Sequence, residues 1–183
     1  MKKNLLSAVL TAGFVGFSLP AMAVPVSAEI IGSGECGENL TWTLDDSGTL
    51  TISGEGEMWD YGGYYDDETG EYIEGEHPHT PWRSLIMDML YDADGNETGS
   101  ELCIFIEEGV ASIGRLAFSD LGEPQISLPE SLLVIGEDAF SHCYSVIELP
   151  PNVVEIRDFA FWGCSNEEII FPEGLQSIGV WAF

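Results

Sequence analysis

Few residues in this chain have the types and spacings that chemistry asks for. His77-Pro78-His79 offers two imidazoles as the seed of a metal site, but no further His or Cys stands at ligand spacing. Both are taken as loop histidines. His142 adjoins Cys143, a base beside a nucleophile, yet neighbours on an extended chain point to opposite sides. Asp92-x-Asp94-Gly95-Asn96 places oxygen ligands at alternating positions, like the start of a calcium loop. Such a loop needs glycine at its sixth position and glutamate at its twelfth, where Glu97 and Cys103 stand, so a plain turn is predicted. Tyr61, Tyr64, Tyr65 and Tyr72, with Trp59, lie among carboxylates and could stack on sugar rings; the plainer alternative is an insertion packed on its own hairpin. No stretch among the 32 acidic residues singles out a catalytic pair. The sequence therefore assigns no catalytic residue, metal ligand or cofactor, and predicts a protein that is not an enzyme.

The elements that position everything else lie in 104–183, where one pattern recurs four times: IFIEEGVASIGRLAF, ISLPESLLVIGEDAF, IELPPNVVEIRDFAF and IIFPEGLQSIGVWAF. Ile106, Leu128, Leu149 and Phe171 form one column with steps of 22, 21 and 22 residues, and Ile113, Ile135, Ile156 and Ile178 form another with the same steps. Each copy opens on an apolar-x-apolar triplet, the period of a very short strand. Pro129, Pro150 and Pro172 then end the strand, because proline cannot donate to a ladder. Each copy closes on an Ala-Phe pair, at Ala117-Phe118, Ala139-Phe140, Ala160-Phe161 and Ala182-Phe183. The small residue lets backbones approach at a bend, and the ring fills the interior. So short a unit buries little alone, so its neighbours must stack, one strand per coil in a parallel sheet. The residues left pointing outward from the triplets are Phe105, Ser127, Glu148 and Ile170. Two of the four are large and apolar, which marks them as a candidate partner-binding stripe.

The segment SLPESLLVIGEDAFSHCYSV, Ser127 to Val146, resembles the BspA-like leucine-rich repeat, whose recurring phrase is close to LPxxVxxIGxxAFxxCxxL. Departures are Arg157 where the glycine belongs, Leu121 where the cysteine belongs, and units slightly shorter than usual. The resemblance implies an α/β leucine-rich-repeat solenoid, strand-dominated with short helical turns. It also implies an exported surface or secreted bacterial protein that adheres to host proteins or other cells.

Upstream, Leu40, Trp42 and Leu44 alternate with polar residues, as do Leu50 and Ile52 after the Asp45-Asp46-Ser47-Gly48 turn. This is a β-hairpin with one apolar face, and its phrase is similar to the segment that precedes BspA-like repeats. A hairpin is marginal alone in water, so it is expected to cap the first edge of the solenoid. Residues 60–80 carry glycine, acids and tyrosines without a sustained period and are predicted to be a surface loop. Pro81-Trp82 restarts ordered structure, and Arg83 to Leu90 is a short helical or extended piece.

Lys2 and Lys3, the apolar run from Leu5 to Leu19, and the small-x-small site Ala21-Met22-Ala23 predict a secretory signal peptide over 1–23. The expected organisation is then 1–23 signal peptide, 29–100 N-terminal cap region with an acidic Tyr/Gly-rich loop, and 101–183 repeats, about 3.5 units with the last truncated. After cleavage three arginines stand against 32 acids, a formal charge of −29. Such a chain repels nucleic acid and anionic lipid, so neither is an expected partner. Four cysteines in an exported chain invite disulfides. Cys143 and Cys164, however, share a column with Leu121, a position that wants a small inward apolar side chain, so core thiols are the first expectation and a 143–164 bridge the other. Cys36 and Cys103 are assigned neither way. The function that follows is an extracellular, secreted or cell-surface module that binds protein or glycan. The alternative is the N-terminal targeting part of a larger secreted enzyme or wall-anchored protein whose other domains lie beyond Phe183.

Overall fold

Three antiparallel strands open the fold: β1 (Ile30–Glu35), β2 (Leu40–Asp45) and β3 (Thr49–Gly54). The computed structural model describes residues 28–65, 68–164 and 169–183, and the signal-peptide expectation for 1–23 lies outside them. Trp42 faces Ile52 and Leu44 faces Leu50 across the predicted hairpin, and its five apolar side chains are buried. Asp45 closes the turn, its Oδ1 accepting from Ser47 N at 3.0 Å, Ser47 Oγ at 2.6 Å and Thr49 N at 2.9 Å. Gly48 takes φ 86°, a conformation that favours glycine. Sequence patterning did not mark β1, because Ile30-Ile31-Gly32-Ser33-Gly34 has no alternation.

β4 (Gly56–Glu57) follows. The 60–80 stretch, expected as loop, carries a small antiparallel pair, β5 (Tyr64–Tyr65) with β6 (Tyr72–Ile73). Arg83–Leu90 is helical and forms α1. Its start is pinned to the first repeat, since Trp82 Nε1 donates to Ala117 O at 3.2 Å and Arg83 Nη1 to Ser119 O at 2.8 Å.

The repeats contribute β7 (Cys103–Ile106), β8 (Val110–Ile113), β9 (Gln125–Ser127), β10 (Val134–Ile135), β11 (Glu155–Ile156) and β12 (Ser177–Ile178). One sheet runs β1-β2-β3-β7-β9, with β7 parallel to both β3 and β9. The other runs β4-β8-β10-β11-β12, all parallel, with Ile113, Ile135, Ile156 and Ile178 in register. The chain thus has a strand-rich leucine-rich-repeat fold. Two expectations need correcting. The triplets at 147–149 and 169–171 are not strands; there the isoleucine column alone carries the ladder from coil to coil, and proline does not account for the difference, since Pro129 follows β9 in the same way. The helical turns expected within the repeats are absent among the described residues, where α1 is the α-helix and lies ahead of them. Their place is taken by tight turns in which the residue before each alanine has positive φ: Leu116, Asp138, Phe159 and Trp181.

The core is a column of rings. Trp82, Phe118, Phe140, Phe161 and Phe183 stack with successive centroids 5.5, 5.4, 5.5 and 5.2 Å apart. Beside it Phe118 N donates to Ala139 O, Phe140 N to Ala160 O and Phe161 N to Ala182 O, each at 2.8 Å. This repeated bond is why the alanine must be small. Gly114 meets the same demand, since a Cβ there would lie 1.9 Å from Trp59 O. Arg157, at the glycine position of its own coil, keeps the backbone bond to Ile135 O at 2.9 Å and turns its side chain outward to Glu155, 3.0 Å away.

All four cysteines are free thiols, so the 143–164 bridge is not formed. Cys143 Sγ donates to Phe118 O at 2.9 Å and Cys164 Sγ to Phe140 O at 3.1 Å, each reaching back one coil. Burial pushes Cys36 and Cys143 up to about 12 and Cys164 up to about 11, which leaves them inert as nucleophiles.

Candidate partner-binding face

The outward row begins at Phe105. It sits between buried Ile104 and Ile106 on β7, so its own ring must face away from the core, where it is 43% exposed. Parallel register places Ser127 of β9 beside it on one side and Thr51 of β3 on the other. Thr43 lies opposite Thr51, and Ser33 opposite Thr43. The row therefore reads Ser33, Thr43, Thr51, Phe105, Ser127, with neighbours about 4.8 Å apart: hydroxyls flanking one large ring. Ser33, Thr43 and Thr51 were missed at the level of sequence. The alternating threonines of the hairpin signalled an outward face, but nothing local said that β3 would dock parallel to β7.

Glu148 and Ile170 are also exposed, Ile170 to 81%. No ladder joins them to Ser127, because both lie outside the strands. The structure sets two of the four stripe residues side by side and leaves the other two on later coils.

The residues with candidate chemistry are dispersed. His77 stacks on Trp59 at 4.1 Å and 10°, which covers the Trp59 face that stacking on a sugar would need. Tyr61 is in the core, while Tyr64 and Tyr72 stand more than half exposed, so the tyrosines do not share one platform. His142 meets the edge of Trp162 at 4.6 Å, and Cys143 beside it is buried with its thiol on a carbonyl. Asp92 is occupied as a turn-maker: Oδ1 accepts from Asp94 N at 3.0 Å and Asn96 N at 2.9 Å. The bonds from Asn96 hold its carboxyl below the usual range. Among the described residues no group of three or more His, Cys, Asp or Glu is placed to hold a metal ion.

One acidic groove of about 300 Å³ opens on the second sheet, lined by Glu137, Glu155, Arg157 and Asp158. Burial raises the Glu137 carboxyl, against the attraction of Arg115 and with the repulsion of Asp138, Asp158 and Asp60. Asp138 is raised for the same first reason.

The family model for a BspA type leucine rich repeat region of six copies matches residues 103–183. Among solved structures, the chain is similar to a leucine-rich repeat protein from Eubacterium ventriosum ATCC 27560, with a TM-score of 0.54 and 16% identity over 81% of this chain. The match spans 39% of that longer chain. At this identity the likeness concerns the fold. No curated protein matches the chain.

Proposed function

Residues 103–183 of this chain form a BspA type leucine rich repeat region, and from that premise we propose that the protein is an exported, non-enzymatic module that binds protein or glycan outside the cell. Repeat regions of this kind offer a regular extended surface rather than a closed cleft. The observation that carries the proposal is the outward row, where Phe105 stands exposed among hydroxyl-bearing neighbours in register. An exposed ring framed by polar groups is the composition of a contact patch.

In this proposal the repeats of 101–183 are a solenoid, and the hairpin within 29–100 is its cap. Support comes from β3, which pairs with β7 and so covers the amides that an open edge would present to solvent. Export rests on the leader features of 1–23. Among the described residues no helix is long and apolar enough to cross a membrane.

Surface plasmon resonance of the immobilised protein against panels of purified extracellular proteins and of glycans tests the proposal. The expected result is a partner whose affinity falls about tenfold or more in Phe105→Asp, with a further loss in the Phe105→Asp/Ile170→Asp double variant. A partner held equally well by wild type and double variant would remove the stripe from the proposal, and silence across both panels would overturn the binding function.

A further inference from the structure

A second surface lies at the edge of the first coils. The chain leaving α1 passes Tyr91, turns through Asp92–Asn96 and returns beside the helix. Tyr91 pairs with Glu97, and Thr98 ties back through its N to Leu90 O at 2.8 Å and its Oγ1 to Met89 O at 2.7 Å. Opposite stands the 121–125 loop, held by Gln125 N on Leu102 O at 2.8 Å and by Tyr144 N on Gly122 O at 2.7 Å. Ser145 Oγ bonds Pro124 O. Between these walls is a cleft of about 620 Å³, within the size range of ligand sites.

Its floor is apolar, from Leu102 and Leu121, both buried. On its rim stand two tyrosines, Tyr91 at 41% and Tyr144 at 51% exposed, and three exposed glutamates, Glu97, Glu101 and Glu123. No cation pairs with any of these carboxylates among the described residues. Among the described residues the ion pair is Arg157 with Glu155, while Arg83 donates to Ser119 O and Arg115 to Gly63 O. Every arginine is thus engaged elsewhere, and both lysines precede the described residues.

An apolar floor, two exposed tyrosines and three unpaired carboxylates complement a side chain with an aliphatic stem and a cationic head. The stem covers the leucines, the head lies over a tyrosine ring, and the carboxylates accept its hydrogen bonds. Guanidinium suits this better than ammonium, because it is flat, weakly hydrated and forked. A neutral sugar would use the rings but leave the three charges repelling one another. We propose that the cleft between Tyr91 and Tyr144 is a docking site for an arginine side chain on a basic segment of a protein partner. It shares with the function proposed above the idea of a partner but not the surface, since Phe105→Asp leaves the cleft untouched. The two therefore fail separately.

Isothermal titration of the whole protein with a blocked tri-arginine peptide at physiological salt tests it, with a tri-citrulline peptide as the neutral isostere. Wild type is expected to bind the first and not the second. The Glu97→Gln/Glu101→Gln/Glu123→Gln variant should lose about tenfold or more in affinity. Tyr91→Ala and Tyr144→Ala should each lose about threefold, with Tyr→Phe retaining it. Because the whole chain is acidic, Glu35→Gln/Glu38→Gln/Glu55→Gln serves as the charge-matched control and should change affinity less than about twofold. These side chains are exposed, so an unchanged melting temperature confirms folding. Equal losses in the two triple variants would mean diffuse attraction and overturn the site, as would no binding by wild type. Binding of maltotriose that depends on Tyr91 and Tyr144, without peptide binding, would also overturn it in favour of a glycan.

Discussion

At the scale of single residues, positive φ at side-chain-bearing positions is the least visible feature of the chain. Leu116, Asp138, Phe159 and Trp181 share one column, and Asp120 and His142 share a second, all between 53° and 57°. Nothing in the residue types of the first column announces this. The backbone is held there because Leu116 N must reach Glu137 O, Asp138 N must reach Asp158 O and Phe159 N must reach Val180 O, each at 3.0 Å. An L side chain in this region carries a penalty of about 1 kcal/mol or more. Asp120, exposed at φ 55°, isolates the effect. Asp120→Gly and Asp120→Val lose the same carboxylate, so their difference reports the strain of a β-branched side chain at positive φ, less the chain entropy that glycine adds to the unfolded state. The valine variant should be less stable than the glycine variant by about 1–2 kcal/mol in urea denaturation, and equal stability would refute a held left-handed turn.

Among elements, the ring column has the energetic weight. Phe140 is buried between Phe118 and Phe161, its neighbours 5.4 and 5.5 Å away. Phe140→Ala should cost about 3–5 kcal/mol, because neither flanking ring can move across the gap without breaking the Ala-Phe backbone bonds. Phe183, covered by Phe161 on one face and 39% exposed, should cost clearly less on the same substitution. Matching losses in chemical denaturation would mean that the stack is not one continuous core. The apolar spacing that places these rings was plain in the amino-acid pattern. Trp82 as the first ring of the same stack was not, since it lies outside the repeat.

On the scale of the whole molecule, net charge governs. The formal charge is −27, and Asp60, Asp138 and Asp158 lie close enough to Glu137 to repel its carboxylate. Burial first, then these neighbours, raise the Glu137 carboxyl above its ordinary 4.5. A carboxyl whose folded value is raised binds protons more readily folded than unfolded. Its contribution is therefore fully present below the unfolded value and is lost as pH rises through the folded one. At neutral pH the charged Glu137 is a burden, so Glu137→Gln should melt higher than wild type at pH 7. That advantage should shrink as pH falls toward 4.5, and a melting-temperature difference independent of pH would refute the assignment.

The sequence by itself determined what depends on near neighbours: the repeat and its 21- to 22-residue step, the inward columns, the apolar face of the hairpin and the buried position of Cys143. Each follows from side-chain period and turn chemistry, which act over a few residues. Tertiary structure alone decided how the hairpin joins the repeats and which column of each repeat carries the ladder. β3 joins β7, so Thr51 and Phe105 share a face although 54 positions separate them. The second sheet forms along the isoleucine column, and strand pairing is lost at 147–149 and 169–171. Tyr91 and Tyr144 line one cleft although 53 positions separate them. These are matters of register between distant segments, set by which backbone donors and acceptors remain unpaired once the core has closed, and no local pattern encodes them.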